Sequence, residues 1–284
     1  MPHSDDQPSD GGLPIEFEVY FPIFPTLNYG RLAQFIDQCE PDAGEKADVA
    51  PVENDDTNEP GVRIVGFVVS LGDMNVGVVM QSAPTPNMEL IRLGAVTDEV
   101  KQVLVAHQAC AVLSLVGGED EAPIERLLFA YKVAAGLCLQ GALGVGNVHT
   151  ERVLPAEMLH ELFGMPPAND EQSVWESLRI YGEPPQLLMS IELIEIKNRQ
   201  YLATCGLGYC DLPDLAWAFT NDDEANNVIE LFNNCFAHMM EQNIAFQAGE
   251  TIEDDNEKTY RFDDPPDDWE LPFPSEGVLV MTTL

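Results

Sequence analysis

Residues 62–82 read Val62-Arg63-Ile64-Val65-Gly66-Phe67-Val68-Val69-Ser70-Leu71-Gly72-Asp73-Met74-Asn75-Val76-Gly77-Val78-Val79-Met80-Gln81-Ser82, and this stretch decides the fold class. Two apolar, largely β-branched runs, Val62–Leu71 and Met74–Ser82, flank the pair Gly72-Asp73. A two-residue Gly-Asp connection between such runs signals a β-hairpin. The following Ala83-Pro84-Thr85-Pro86-Asn87 stops the second strand, because proline cannot donate to a ladder. Helical spacing then runs over Asn87–Ala95 and Thr97–His107, with Thr97 ahead of Asp98 and Glu99 as an N-terminal cap. Ala109–Val116 has the composition of a buried strand.

Outward from this core the pattern continues in both directions. Residues 15–23 alternate apolar and acidic as far as Tyr20, a strand with one wet face. Tyr29–Cys39 reads as a helix capped by Asn28, with Leu32, Phe35 and Ile36 on one side. Downstream, Pro123–Gly141 is the clearest helix of the first half: Pro123 suits the first turn and Gly141 the exit. A strand over Ala142–His149 and a helix over Pro155–Phe163 follow. After a connector from Pro166 to Pro185, strands are expected at Gln186–Lys197, Gln200–Tyr209 and Leu215–Thr220. The helix Glu224–Gln242 and a short strand Ile244–Ala248 complete a second half that loosely repeats the order of the first. The terminal Gly277–Leu284 is apolar and β-prone, suited to docking on a sheet edge.

These readings give an α+β fold: a mixed or antiparallel sheet built from two βαβ-containing halves, with helices packed on one face. The expected organisation is a disordered tail (1–14), an N-terminal strand–helix unit (15–39), an acidic linker (40–61) and a main domain (62–252) with halves 62–164 and 186–252. An acidic C-terminal segment (253–284) ends in the terminal strand.

Forty-nine Asp and Glu face thirteen Lys and Arg, a formal charge of −36 on 284 residues. Such an exterior repels phosphate backbones and anionic lipid, and attracts cations or basic proteins. Eight acids fall between Glu40 and Pro60 and ten between Glu250 and Glu270, yet the rest of the chain is acidic as well. A hydrophobic content of 45% separates it from disordered acidic chains. No apolar run is long enough to span a bilayer, and the opening Met1-Pro2-His3-Ser4-Asp5-Asp6 lacks the features of a secretory signal, so a cytoplasmic location is expected. The six cysteines form no C-x-x-C pair and most sit in apolar surroundings, as buried reduced thiols do.

No catalytic constellation of comparable strength accompanies the charge. His160-Glu161 is half of a zinc-protease motif, but position 164 is Gly where the second His is required. His149-Thr150-Glu151 has the His-x-Glu of zinc deaminases without their downstream Pro-Cys-x-x-Cys. Gly141–Gly146 leads into a strand rather than opening a helix, and Gly206–Gly208 sits inside an expected strand, so neither is a phosphate cradle. No Asp-x-Asp-x-Asp-Gly calcium loop is present. His107 and His149, each near an expected strand end, and Glu151 beside them are the residues to test for acid–base chemistry. His238, on the apolar side of a helix, reads as structural. No cofactor, metal or nucleic acid is expected.

From Val62 onward several stretches resemble a bacterial family known as domain of unknown function 4261. They are Val78-Val79-Met80-Gln81-Ser82-Ala83-Pro84-Thr85-Pro86; His107-x-Ala109-x-x-x-Leu113-Ser114; the long helix leading into Ala142-Leu143-Gly144-Val145; Thr204-Cys205-Gly206-Leu207 with Leu212-Pro213-Asp214-Leu215; and Glu224 through Gly249-Glu250-Thr251-Ile252. The resemblance implies an immunity-like binding role and carries no catalytic residues with it. With the charge, it leads to the expectation of a non-enzymatic module that sequesters a basic protein. The alternatives are an enzyme with a His/acid site between the halves and an assembly protein joined through its C-terminal strand.

Overall fold

The computed structural model describes residues 15–40, 44–52, 62–94, 96–118, 121–148, 150, 152–162, 189–219, 221–242, 244–253, 257–266, 269 and 277–284. The tail 1–14, the whole of the Pro166–Pro185 connector, and His149 and Glu151 lie outside these residues.

The α+β class holds, in the form of two mostly antiparallel sheets around shared helices. The first sheet has the order β2-β3-β4-β5-β1-β6-β7. Its strands are β1 (Glu16–Phe21), β2 (Asp48–Val52), β3 (Ile64–Leu71), β4 (Met74–Gln81), β5 (Ala109–Gly117), β6 (Gly144–Asn147) and β7 (Arg152–Pro155). The expected hairpin is β3–β4, with Leu71 opposite Met74 across the turn and Gly72 at φ +57°. The strand from the N-terminal unit is central, hydrogen-bonded between β5 and β6. The segment read as an acidic linker contributes the edge strand β2.

Helices α1 (Tyr29–Cys39) and α4 (Pro123–Cys138) pack on the core side of this sheet. The Asn28 side chain accepts from Arg31 N–H at 3.0 Å, the expected cap. Helix α4 is apolar around most of its circumference and buried at twelve positions from Ile124 to Cys138, with Glu125, Arg126 and Lys132 on its less covered side. A Cβ on Gly136 would lie 2.4 Å from a Leu32 methyl, so this glycine sets how closely α1 approaches. Helices α2 (Met88–Leu93) and α3 (Asp98–Val105) pack on the opposite face, where Leu90, Ile91 and Leu104 join Tyr20, Cys110 and Val153 in a separate apolar cluster. Helices therefore lie on both faces of this sheet, not on one.

The second sheet runs β11-β12-β13-β10-β9-β8. Its strands are β8 (Ser190–Ile196), β9 (Arg199–Cys205), β10 (Asp214–Ala218), β11 (Thr251–Glu253), β12 (Thr259–Asp263) and β13 (Val278–Thr283). Helices α5 (Ala156–Leu162) and α6 (Asp222–Gln242) complete the order, and one apolar core joins both halves.

Three expectations are corrected here. The strand read as Gln200–Tyr209 ends at Cys205, because Gly206 turns to φ +109° and opens a 3-10 turn over Leu207–Cys210. Ile244–Ala248 is not a strand: Phe246 is anchored by stacking on Phe262, ring centroids 4.2 Å apart, and strand pairing resumes at Thr251. The terminal strand is interior, parallel to β10 on one side and antiparallel to β12 on the other, so the assembly alternative finds no free edge on β13.

All six cysteines are free. Burial pushes the thiols of Cys39, Cys110, Cys138 and Cys235 up to about 12. A rise of that size lowers the thiolate fraction about a thousandfold. Ellman's reagent at mildly alkaline pH should therefore label these four far more slowly in the native protein than in denaturant. Fast native labelling of every thiol would contradict the packing.

Candidate functional site

The buried polar groups of the first half converge on β1. Glu18 and Tyr20 are two apart on one strand, so they share the face that α2 and α3 cover. Above them, Thr85 is held between Pro84 and Pro86, which restrict the backbone on both sides. Thr85 Oγ1 donates to Glu18 Oε1 at 2.7 Å and accepts from Asn87 N–H at 3.0 Å. Tyr20 Oη donates to Glu18 Oε2 at 3.2 Å.

His107 closes the cluster. Its Nε2 accepts from Thr85 N–H at 2.8 Å, and its Nδ1 lies 2.7 Å from the Leu104 carbonyl. Only the tautomer with hydrogen on Nδ1 satisfies both contacts. Glu18, Thr85 and His107 are all buried. Both imidazole nitrogens are engaged by backbone, so the ring joins the Pro84–Pro86 loop to the end of α3 and offers no nitrogen to a substrate. His107 is thus a framework residue.

Burial holds the Glu18 carboxyl above the ordinary carboxylate range, opposed by the hydrogen bonds from Thr85 and Tyr20. A carboxyl raised in the folded state binds its proton more tightly there than in the unfolded chain. Its contribution to stability is full below the unfolded value and is lost as pH rises through the folded one. Glu18→Gln keeps an acceptor for Thr85 and has nothing to titrate. Its melting temperature should fall less than the wild type's between mildly acidic and mildly alkaline pH; parallel curves would remove Glu18 as the source.

A second polar junction links the halves. Asn147 Oδ1, at the end of β6, accepts from Thr150 N–H at 3.2 Å and from the Tyr209 hydroxyl at 3.4 Å, across from the 3-10 turn. Arg152 reaches the Met189 carbonyl. Burial lowers the Arg152 guanidinium and raises the Tyr209 and Tyr131 phenols. Of the other histidines, His238 is exposed rather than core-facing and stacks on Phe246 at 5.8 Å, while burial lowers the His160 imidazole. The candidates His149 and Glu151 lie outside the described residues.

The second buried carboxylate among the described residues, Asp214, was missed by sequence reasoning. It is fully buried at the start of β10. Its Oδ1 accepts from Thr204 Oγ1 at 3.0 Å and from Leu207 N–H at 3.2 Å, and Thr204 Oγ1 in turn accepts from Leu215 N–H at 2.8 Å. Asp214 N–H donates to the Gly277 carbonyl at 2.9 Å. These contacts latch the end of β9, the 3-10 turn, β10 and the entry to β13. The Thr204–Leu207 and Leu212–Leu215 stretches that carry the resemblance are the two sides of this latch.

Residues 203–273 match the family described as domain of unknown function (DUF4261). The match begins one residue before Thr204 and runs through α6 to β12 and beyond, so it takes in the whole of the acidic run Glu250–Glu270. The stretches around Val78, His107 and Ala142 lie outside the matched residues. No curated protein and no solved structure matches the chain.

The described residues line open depressions on the surface. One, of about 560 Å³, is lined by Glu195, Asn198, Arg199, Gln200, Ala218 and Phe219. Another, of about 290 Å³, lies between Trp217, Asn227, Leu231, Lys258 and Tyr260. His107 lines neither. Among the described residues no group of three His, Cys, Asp or Glu is placed to share a metal ion, and no helix is long and apolar enough to cross a membrane.

What the exterior does offer is uncompensated negative charge. Lys46 pairs with Asp37, Arg92 with Glu89, Lys132 with Glu40 and Arg261 with Asp263. Each internal pair consumes one of only thirteen cations, and the surplus of 36 acids remains.

Proposed function

We propose that the protein is a cytoplasmic, non-enzymatic binding module that sequesters a basic protein through its acidic exterior, as an immunity-like protein would. The observation that carries this reading is the formal charge of −36 on a chain with a folded, shared core. Self-repulsion on that scale opposes folding, and a cationic partner relieves it. The engagement of both His107 nitrogens by backbone favours binding over acid–base catalysis.

The test is thermal unfolding at low ionic strength with three probes: a Lys-rich peptide, a Glu-rich peptide of equal length and a short DNA duplex. The Lys-rich peptide should raise the melting temperature by several degrees, and the other two should not. No shift with the Lys-rich peptide, or an equal shift with DNA, would overturn the proposal.

A further inference from the structure

We infer that the open half of the first sheet's outer face is the docking surface, and that its occupant is a basic amphipathic helix of a partner protein. This inference rests on the acidic-module reading above and locates the contact.

The strand register defines the face. One row crosses the sheet as Val52, Gly66, Val79, Val112, Glu18, Gly146 and Val153. The next, towards the β3–β4 turn, runs Ala50, Val68, Gly77, Ser114 and Glu16. Beyond it come Asp48, Ser70, Asn75 and Val116. From Glu18 to Val153 the face is covered by the Pro84–Pro86 loop and by α2 and α3. On the other side of Glu18 it is open: Val52 is 48% exposed, Val79 54%, Val112 37% and Val116 65%. Four exposed valines on β2, β4 and β5, bridged by Gly66 and the part-buried Val68 of β3, form a patch on one face, unlike single apolar residues scattered over a surface.

The floor of the patch is low. Ala50, Gly66, Gly77 and Ser114 lie between the valines, and a Cβ on Gly77 would meet nothing nearer than the Ser114 carbonyl at 3.7 Å. Four strands about 4.8 Å apart give a width of roughly 19 Å, and three rows of side chains span a length of ~20 Å. A helix ~10–12 Å across fits that width, and about thirteen helical residues fit that length.

Charge selects the occupant. The aligned positions of the open face carry Glu16 and Asp48 and no Lys or Arg, and Asp73 stands at the β3–β4 turn. A helix with an apolar stripe and flanking Lys or Arg satisfies both the valine floor and this acidic rim. A second copy of the chain brings another charge of −36 to the same contact and is disfavoured.

The test uses a Leu/Lys amphipathic peptide of about fourteen residues and a counterpart with every Leu replaced by Ser, matched in charge. Affinities are measured for the wild type and for Val79→Ser/Val116→Ser, with methyl NMR of the wild type. Because both valines are largely exposed, the double variant should melt as the wild type does. Val68→Glu, on the same floor, is a second blocking variant should the first unfold. The Leu/Lys peptide should bind the wild type at least tenfold more tightly than its Ser counterpart. The double variant should lose that difference, and the methyl signals of Val79, Val112 and Val116 should move.

Equal affinity for the two peptides, or methyl shifts confined elsewhere, would remove this face while leaving the acidic-module reading in place. Binding of neither peptide would overturn both. A wild-type dimer that the double variant dissociates would make the face a self-interface and overturn the helix assignment.

Discussion

Replacing Asp214 with Ala is expected to destabilise the protein by about 3–5 kcal/mol, the largest effect of any single substitution considered. The side chain removed is fully buried and accepts from Thr204 Oγ1 and Leu207 N–H. Alanine leaves both donors without that acceptor, and each buried donor so orphaned costs about 1–3 kcal/mol. Leu207 N–H cannot turn to another partner, because Gly206 at φ +109° fixes the start of the 3-10 turn. The loss propagates along the sheet, since β10 pairs with both β9 and β13. Urea unfolding should show a much reduced midpoint for Asp214→Ala, whereas Asp214→Asn, which keeps an oxygen facing Thr204, should lose less than half as much. Equal losses in the two variants would mean that the charge, not the hydrogen-bond geometry, holds the latch.

The second large effect concerns Gly146. A Cβ there would lie 2.3 Å from the Tyr20 hydroxyl and 2.7 Å from a Leu90 methyl. Tyr20 cannot swing aside without giving up its bond to Glu18, and Leu90 is packed against the sheet in the same cluster. Gly146→Ala should therefore cost about 1–3 kcal/mol, as overpacking does. Tyr20→Phe in the same chain removes the clashing oxygen. A double-mutant cycle should return part of the loss, although Phe leaves Glu18 with one donor fewer. Strict additivity would show that the two sites do not meet.

Both effects concern polar groups that the linear sequence conceals. Glu18 lies in an alternating run whose acids read as a wet face. The alternation assigns Glu18 to a side of the strand correctly, but it cannot say that the Pro84–Pro86 loop returns to cover that side. Asp214 follows a proline in a stretch that reads as a turn, and its three-way latch depends on Thr204 ten residues earlier. What was legible is local: the Gly72-Asp73 turn, the Asn28 and Thr97 caps, and the apolar faces of α1 and α4.

Pairing over distance was not legible. Nothing near residues 16–21 announces that this strand sits between β5 and β6. Strand β12 was hidden for a different reason. Tyr260 and Phe262 alternate inward with Arg261 outward, but the acids on either side masked the period of two. The candidate site divides in the same way. His107 was found by its place before a strand, yet its role follows from contacts with Thr85 and Leu104 that only the folded chain reveals.

The central claim is that surplus negative charge on this exterior exists to meet a cationic protein surface. Its most direct test is the affinity for a Lys-rich peptide as a function of salt. Going from about 20 mM to about 300 mM NaCl shortens the screening length from roughly 20 Å to roughly 6 Å. The account predicts that binding weakens by about a hundredfold or more over that range. An affinity that stays level across it, or no measurable binding at the lowest salt, would contradict the account.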